Sequence, residues 1–201
     1  MNKTSDINSF ERARFLLLLD PVLPGLWRTA LRLVRERHGA EDLLQAATLK
    51  ALRFFDSYAE GTNFKAWMYR VLYTTHINQR RDREPDALQL IESMDRDRSG
   101  AGLLRELERP THAERAAAVL DAVDDQIRGA VDRLPEHLRI VFLLSAIEGL
   151  KYREIATVLE CPIGTVMSRL FRAREELQDQ LAAHARDIGW PVPAREDEVA
   201  E

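Results

Sequence analysis

The chain has 201 residues, of which 45% are hydrophobic, and its formal net charge is -4 at pH 7. This length and composition favour one or two globular domains and exclude a wholly disordered chain. Its single cysteine excludes an internal disulfide framework and, with so few histidines, a cysteine-rich zinc site. No apolar run approaches the roughly 20 residues of a membrane span, and the amino terminus lacks the organisation of a secretion signal. We expect a cytoplasmic protein without membrane insertion.

Helical periodicity covers residues 10–83 and 113–185, and strand signals are nearly absent. This pattern predicts an all-α fold with two small helical domains. The segment between them holds Pro85, Pro110 and more acids than arginines, which predicts a flexible acidic linker, with a helical connector as the alternative. The predicted division is residues 1–83 for the first domain, 84–111 for the linker, 112–186 for the second domain and 187–201 for an acidic tail.

Residues 149–177 predict a helix-turn-helix. Ile155, Ala156 and Leu159 lie at helical spacing in the first helix, and Pro162 and Gly164 mark the turn. The apolar stripe of the second helix consists of Val166, Leu170, Ala173 and Leu177. This stripe is predicted to face the core, so the opposite side of the helix should be exposed.

The exposed side of this second helix carries groups that suit a DNA major groove. At about 100° per residue, it centres on Ser168, with Phe171 and Arg172 beside it and Arg169 and Arg174 on its shoulders. Serine bonds either base type, phenylalanine contacts a thymine methyl, arginine binds guanine bidentately, and shoulder arginines reach phosphates. The alternative is an αα-hairpin with a solvated basic face.

Two helices of the first domain also carry patterned faces. Residues 63–83 should form one helix, whose basic and aromatic stripe is Lys65, Tyr69, Tyr73, His76, Arg80 and Arg83. Such a stripe can hold phosphates and stack on unpaired bases, although a solvated basic face is equally common. Its opposite side, with Trp67, Val71, Leu72 and Ile77, should face the core. The preceding helix, residues 40–52, presents Asp42, Gln45 and Leu49 on one side, as an ordinary amphipathic helix also would.

Taken together, residues 40–45, 63–72 and 134–139 resemble, in order and spacing, the extracytoplasmic-function sigma factors of the sigma-70 family. The resemblance implies a transcription initiation factor without catalysis or cofactor, whose partners are core RNA polymerase and promoter DNA. It implies that the first domain binds the clamp helices of the polymerase and captures a flipped minus-10 base. The second domain would dock on the flap tip and read the minus-35 element, and an anti-sigma factor is a further candidate partner.

Carried over residue by residue, the resemblance assigns three sets of contacts. The polymerase-binding set is Asp42, Leu43, Gln45 and Leu49. The minus-10 set is the loop Ser57 to Thr62 with Asn63, Lys65, Trp67 and Arg80. The minus-35 set is Met167, Ser168, Phe171 and Arg172. Further candidate DNA contacts are Tyr73 on the stripe of the helix at 63–83 and, on the second helix of the helix-turn-helix, Thr165, Arg169 and Arg174. Two positions depart from the family pattern: Thr74 replaces a usual Asn, and Lys151 replaces a frequent Ser or Thr helix cap, at a cost of about 1 kcal/mol.

Three other classes of function are alternatives to a sigma factor: a stand-alone regulator, an enzyme and a polymerase-binding adaptor. A stand-alone helix-turn-helix regulator usually has a dimer interface or a ligand-sensing domain, and neither is evident. An enzyme is disfavoured because the histidines and acids match no triad, phosphate-loop or metal-ligand spacing. An adaptor that binds polymerase without reading promoters would require the Arg172 face to be dispensable.

Overall fold

The computed structural model describes residues 9–83 and 125–187, and every secondary-structure element among these residues is a helix, as predicted. The predicted linker at 84–111, residues 112–124 of the predicted second domain and residues 188–201 of the predicted tail lie outside the described residues. The described part therefore consists of two helical units, one on each side of the gap.

The first unit contains four helices. They are α1 (Ser9–Leu19), α2 (Leu23–Val34), α3 (Arg37–Arg53) and α4 (Phe64–Arg83), with 3₁₀ turns at Asp20–Val22 and Phe55–Ser57. Arg35 ends α2 in the left-handed conformation, with φ of 62°. The next residue, Glu36, caps α3 because its carboxylate accepts the backbone N–H groups of His38 and Gly39 at 2.8 and 2.6 Å. These bonds lower the pKa of Glu36.

The second unit contains α5 (Asp125–Arg133), α6 (Glu136–Phe142), α7 (Tyr152–Leu159) and α8 (Ile163–Asp187), with a π-helical turn at Leu143–Ile147. The guanidinium of Arg139 is buried and donates to the backbone carbonyls of Asp132 and Leu134, both at 3.1 Å. It thereby satisfies two carbonyl groups where α5 ends.

Helices α7 and α8 confirm the predicted helix-turn-helix. The residue that reverses the chain is Glu160, in the left-handed conformation with φ of 52°. Gly164 lies in the first turn of α8 and not in the turn between the helices, because α8 begins at Ile163. The predicted stripe faces the core, since Val166, Leu170, Ala173 and Leu177 are all buried.

The two units share one apolar core. Buried side chains from α1 to α4 form a continuous cluster with Ile140, Val141 and Leu144, and with buried residues of α7 and α8. A second, smaller cluster joins α5, α6 and α8. Because apolar burial is the main favourable term in folding, the two domains are held against each other and not merely tethered.

Candidate functional site

The basic and aromatic stripe of α4 faces the second domain and not solvent. Tyr69 is 1% exposed and His76 is 4% exposed. On the opposite side Leu72 is buried as predicted, whereas Trp67, Val71 and Ile77 are only partly buried. The expectation of a solvent-facing stripe is therefore wrong for its members from Lys65 to Arg80, because the second domain packs along α4 and covers them with Glu148 and Glu136.

An ion pair between a half-buried lysine and a buried carboxylate lies in this contact. The ammonium of Lys65 is 2.9 Å from Oε2 of Glu148 and donates to the backbone carbonyl of the same residue at 2.8 Å. The Glu148 side chain is only 3% exposed. Burial and the charge of Glu148 raise the pKa of the neighbouring Tyr69. The guanidinium of Arg28 lies 4.0 Å from the other carboxylate oxygen. The carboxylate depends on these two cations, with Lys65 the nearer, because an unpaired buried charge is strongly unfavourable.

Glu136, at the start of α6, contacts two basic side chains of α4. Its carboxylate lies 3.1 Å from Nε2 of His76 and also accepts a hydrogen bond from Arg80. Burial alone would raise the pKa of Glu136, but the bond to His76 and the charges of His76 and Arg80 outweigh burial and lower it. The two domains are thus linked by a charge cluster that requires Glu136 to be ionised.

Two further polar contacts lie along the interface. The side-chain amide of Asn63 donates to Glu154 at 2.7 Å, and the guanidinium of Arg70 donates to Glu160 at 2.8 Å. Glu154 also accepts the backbone N–H of Lys151 at 2.7 Å, which supplies half of a capping box where Lys151 itself offers no acceptor. Three predicted DNA contacts, Asn63, Lys65 and Arg80, therefore each meet an acid of the second domain.

Tyr73 and Trp67, the two aromatic residues of α4 that were predicted to contact DNA, lie in different surroundings. Burial raises the pKa of Tyr73 to about 12, against the opposing charge of Arg169 on α8. Trp67 is partly buried, and its ring centroid lies 5.5 Å from that of Tyr58 and 5.7 Å from that of Phe64. Thr74 directs its hydroxyl to the carbonyl of Arg70 at 2.8 Å, so its polar group is satisfied within the helix.

The loop over this aromatic cluster is shaped by local bonds. The hydroxyl of Tyr58 donates to the carbonyl of Thr62 at 2.7 Å, and that of Thr62 donates to the carbonyl of Ala59 at 2.6 Å. Gly61 adopts φ of 79°, a conformation that glycine tolerates best. The loop is exposed at its tip and rests on packed rings, a combination that suits the capture of a small planar group.

The predicted minus-35 residues lie in the first half of α8. Phe171 is 41% exposed, Arg174 is exposed and Arg172 is partly buried. Ser168 is partly buried and donates to the carbonyl of Thr165 at 3.1 Å. Met167 and Arg169 are also partly buried. The face centred on Phe171 and Arg174 remains accessible while the domains are packed together.

The predicted polymerase-binding residues divide into surface and core. Asp42 and Gln45 are exposed and Leu49 is 58% exposed. Leu43 was predicted to contact polymerase, but it is fully buried. It therefore packs in the core beneath α3 and cannot contact a partner.

An apolar groove of about 340 Å³ runs beside these exposed residues of α3. It is lined by Leu23, Trp27, Glu41, Leu44, Gln45, Thr48 and Leu49. The sequence reasoning missed Leu23 and Trp27, which lie on α2. Their spacing of four residues was the available signal, because it places two large apolar side chains on one face of a helix. Such a groove suits an apolar partner helix.

Comparison with known proteins identifies the two units. The family model described as Sigma-70 region 2 matches residues 18–85, and that described as Sigma-70, region 4 matches residues 124–177. The chain is 35% identical to the RNA polymerase sigma-H factor of Pseudomonas aeruginosa over 159 residues, which covers 78% of this chain and 80% of that protein. It is 33% identical to the ECF RNA polymerase sigma-E factor of Escherichia coli K12 over 144 residues, covering 70% and 72%.

A solved structure is also similar. The sigma factor RpoE of Bartonella quintana, in complex with the anti-sigma factor NepR, has 27% identity and a TM-score of 0.61 over 84% of this chain and 97% of that chain.

Within the described residues, no group of three or more His, Cys, Asp or Glu side chains is arranged to hold a metal ion. No helix among those residues is long and apolar enough to cross a membrane.

Proposed function

This chain belongs to the extracytoplasmic-function sigma factors of the sigma-70 family and directs RNA polymerase to promoters as a non-enzymatic initiation factor, and we propose that it binds polymerase before its minus-10 surface becomes available. In this proposal residues 1–83 bind the polymerase and the minus-10 element, 84–111 connect the domains, 112–186 read minus 35, and 187–201 form a tail. Because a sigma factor acts by binding RNA polymerase, we place the protein in the cytoplasm.

The groove between α2 and α3 is the proposed site for the clamp helices. Its lining includes the exposed Leu49 and the aromatic ring of Trp27, with Gln45 at its edge. In protein interfaces, a few side chains packed into pockets at the centre contribute most of the binding free energy. The apolar groove offers such a pocket. The groove is open while the two domains are packed, so polymerase can bind the closed chain.

The minus-10 surface is not available in the same state. Lys65 and Arg80 are occupied by Glu148 and Glu136, and Asn63 is occupied by Glu154. DNA phosphates cannot bind cations that remain paired with these carboxylates. An open groove on α2 and α3 together with paired cations on α4 is the observation that carries the proposal. It supports an order in which polymerase binds first, the domains then separate, and the melted minus-10 strand is captured last.

The minus-35 element is proposed to contact the first half of α8. Phe171, Arg172 and Arg174 lie on its accessible face, where they can reach a thymine methyl, a guanine edge and a phosphate. The other candidate contacts of this helix, Thr165, Met167, Ser168 and Arg169, would position it in the groove. The second domain would dock on the flap tip of the polymerase while α8 reads the DNA.

An anti-sigma factor is a proposed regulator of this chain. The similar Bartonella quintana structure contains one, and the closed arrangement presents surfaces of both domains together. A protein that binds both domains at once would stabilise the packed state and so oppose promoter binding.

Run-off transcription with purified core polymerase tests the proposal. Leu49→Ala should raise the concentration of sigma factor needed for half-maximal transcript by roughly tenfold, as expected for a central apolar contact. Leu17→Ala is the matched control, since Leu17 is a 77% exposed leucine of α1 outside the groove. Equal losses in both variants, or none in Leu49→Ala, would remove the groove from the proposal. A stand-alone regulator would instead bind promoter DNA fully without polymerase.

A further inference from the structure

A cavity lined by arginines lies between the two domains, where α2 faces α5. Its volume is about 550 Å³, within the range of roughly 300–1,000 Å³ typical of small-molecule sites. The lining comprises Arg28, Leu31, Arg32, Arg35, Arg128, Asp132 and Arg133. Residues 28–35 belong to α2 and its cap in the first domain, whereas residues 128–133 belong to α5 in the second.

Helical spacing explains why these side chains converge. Arg28, Arg32 and Arg35 follow one another at intervals of four and three residues, which places them on one face of α2. Arg128 and Asp132 are separated by four residues and share one face of α5. The cavity therefore exists only while these two faces are opposed.

The cavity carries excess positive charge. Its lining holds five arginines and one aspartate, and the carboxylate of Glu148 lies 4.0 Å from the guanidinium of Arg28. The carboxylate of Asp132 is bound by Arg32 at 3.0 Å. Arg35 and Arg133 instead bond uncharged acceptors among the described residues, the backbone carbonyl of Asp132 and the side-chain amide of Gln180. These two guanidinium groups lack a carboxylate partner in the part of the chain that the structure describes.

The arginines of the cavity also affect the buried Arg139. Burial and then the neighbouring charge of Arg35 lower the pKa of Arg139, and Arg32 contributes in the same direction. Like charges held this close oppose the packing of the two domains. An anion in the cavity would remove that repulsion and add charge-assisted hydrogen bonds to both domains.

We propose that this cavity binds a compact phosphate-bearing polyanion, such as pyrophosphate or the diphosphate of a nucleotide, and that the bound anion locks the two domains together. Several guanidinium groups around a cavity of this size call for several negative charges on one small molecule. Phosphate groups supply that charge density and match the guanidinium fork. This inference concerns the packing of the domains and does not depend on the assignment of promoter contacts.

Thermal unfolding of the full chain with inorganic pyrophosphate tests the site. At about a hundredfold excess over the dissociation constant, the melting temperature should rise by roughly 5 °C or more. Sodium chloride at matched ionic strength controls for screening. A nucleoside diphosphate forms a second arm, and tighter binding than pyrophosphate would identify a nucleotide as the source of the phosphates. A rise no larger than that in sodium chloride would overturn the proposal.

The double variant Arg35→Gln, Arg133→Gln tests the residues without breaking the pair between Arg32 and Asp132. Each guanidinium removed should weaken pyrophosphate binding by about tenfold or more, the effect of losing a hydrogen bond to a charged group. Arg153→Gln is the matched control, because Arg153 is an exposed arginine of α7 outside the cavity. Equal affinity in the double variant and the control would overturn the assignment.

Energy transfer between dyes on the two domains tests the lock itself. Arg53→Cys and Gln178→Cys, both at exposed positions, can carry the dyes in a Cys161→Ser background. Pyrophosphate should increase the fraction of molecules with high transfer in the parent chain, and this increase should be lost with Arg35→Gln, Arg133→Gln. Binding that leaves the transfer distribution unchanged would contradict the lock.

Discussion

Gly25→Ala is expected to open the molecule by placing a methyl group in the contact between the domains. A Cβ at this position would lie 2.5 Å from Oε2 of Glu148 and 2.7 Å from the hydroxyl of Tyr69. Neither neighbour can move without cost, since Tyr69 is buried and Glu148 is held by Lys65 at 2.9 Å. The close approach of α2 to the second domain therefore requires glycine here.

The expected size of this effect follows from the overpacking alone. Overpacking of a buried contact costs about 1–3 kcal/mol, and the higher helix propensity of alanine does not offset this cost because α2 is helical in both the open and the closed molecule. We expect a shift of about 1–3 kcal/mol towards separated domains, which changes the ratio of open to closed molecules by roughly 5- to 150-fold.

Small-angle X-ray scattering measures this opening without labels. The radius of gyration of Gly25→Ala should exceed that of the parent chain. Gly164→Ala is the control, because a Cβ added there meets nothing within 4 Å. A radius of gyration for Gly25→Ala equal to that of Gly164→Ala and the parent chain would refute the reasoning.

Two more predictions concern the titration of the interface and the reading of DNA. Because the pKa of Glu136 is lowered only while His76 and Arg80 face it, its contribution to closure should be complete above its usual pKa of 4.5 and should disappear as the pH falls through the lowered value. Scattering measured against pH should show acid opening in the parent chain and a weaker pH response in Glu136→Gln; identical curves would contradict this. Arg172→Ala should cost roughly 1–3 kcal/mol at one minus-35 base pair, whereas Arg174→Ala should weaken all promoters alike, and binding to a set of minus-35 variants distinguishes a base contact from a phosphate contact.

Local patterns determined the features that could be predicted from sequence. The stripe from Val166 to Leu177 is buried as its spacing indicated, and the helix predicted at 63–83 is present as Phe64–Arg83. Both depend on periodicity within one helix, which a sequence displays directly.

The contact between the domains could not be predicted in the same way. Lys65 and Glu148 are 83 positions apart, and Arg32 and Asp132 are 100 apart. No local rule pairs such residues, so a stripe that suits phosphates was equally suited to the carboxylates that cover it. Leu43 illustrates a second limit: a family motif identifies a helix that binds a partner, but burial decides which of its residues reach the surface.

The most direct test of the account is energy transfer between the dye-labelled domains during addition of core polymerase and then promoter DNA. The account predicts high transfer and weak promoter binding for the free chain, a fall in transfer when polymerase is added, and promoter binding only after that fall. Leu49→Ala should require more polymerase for the same change. A free chain that binds promoter DNA at nanomolar concentration, with transfer unaffected by polymerase, would contradict the claim that polymerase opens this sigma factor.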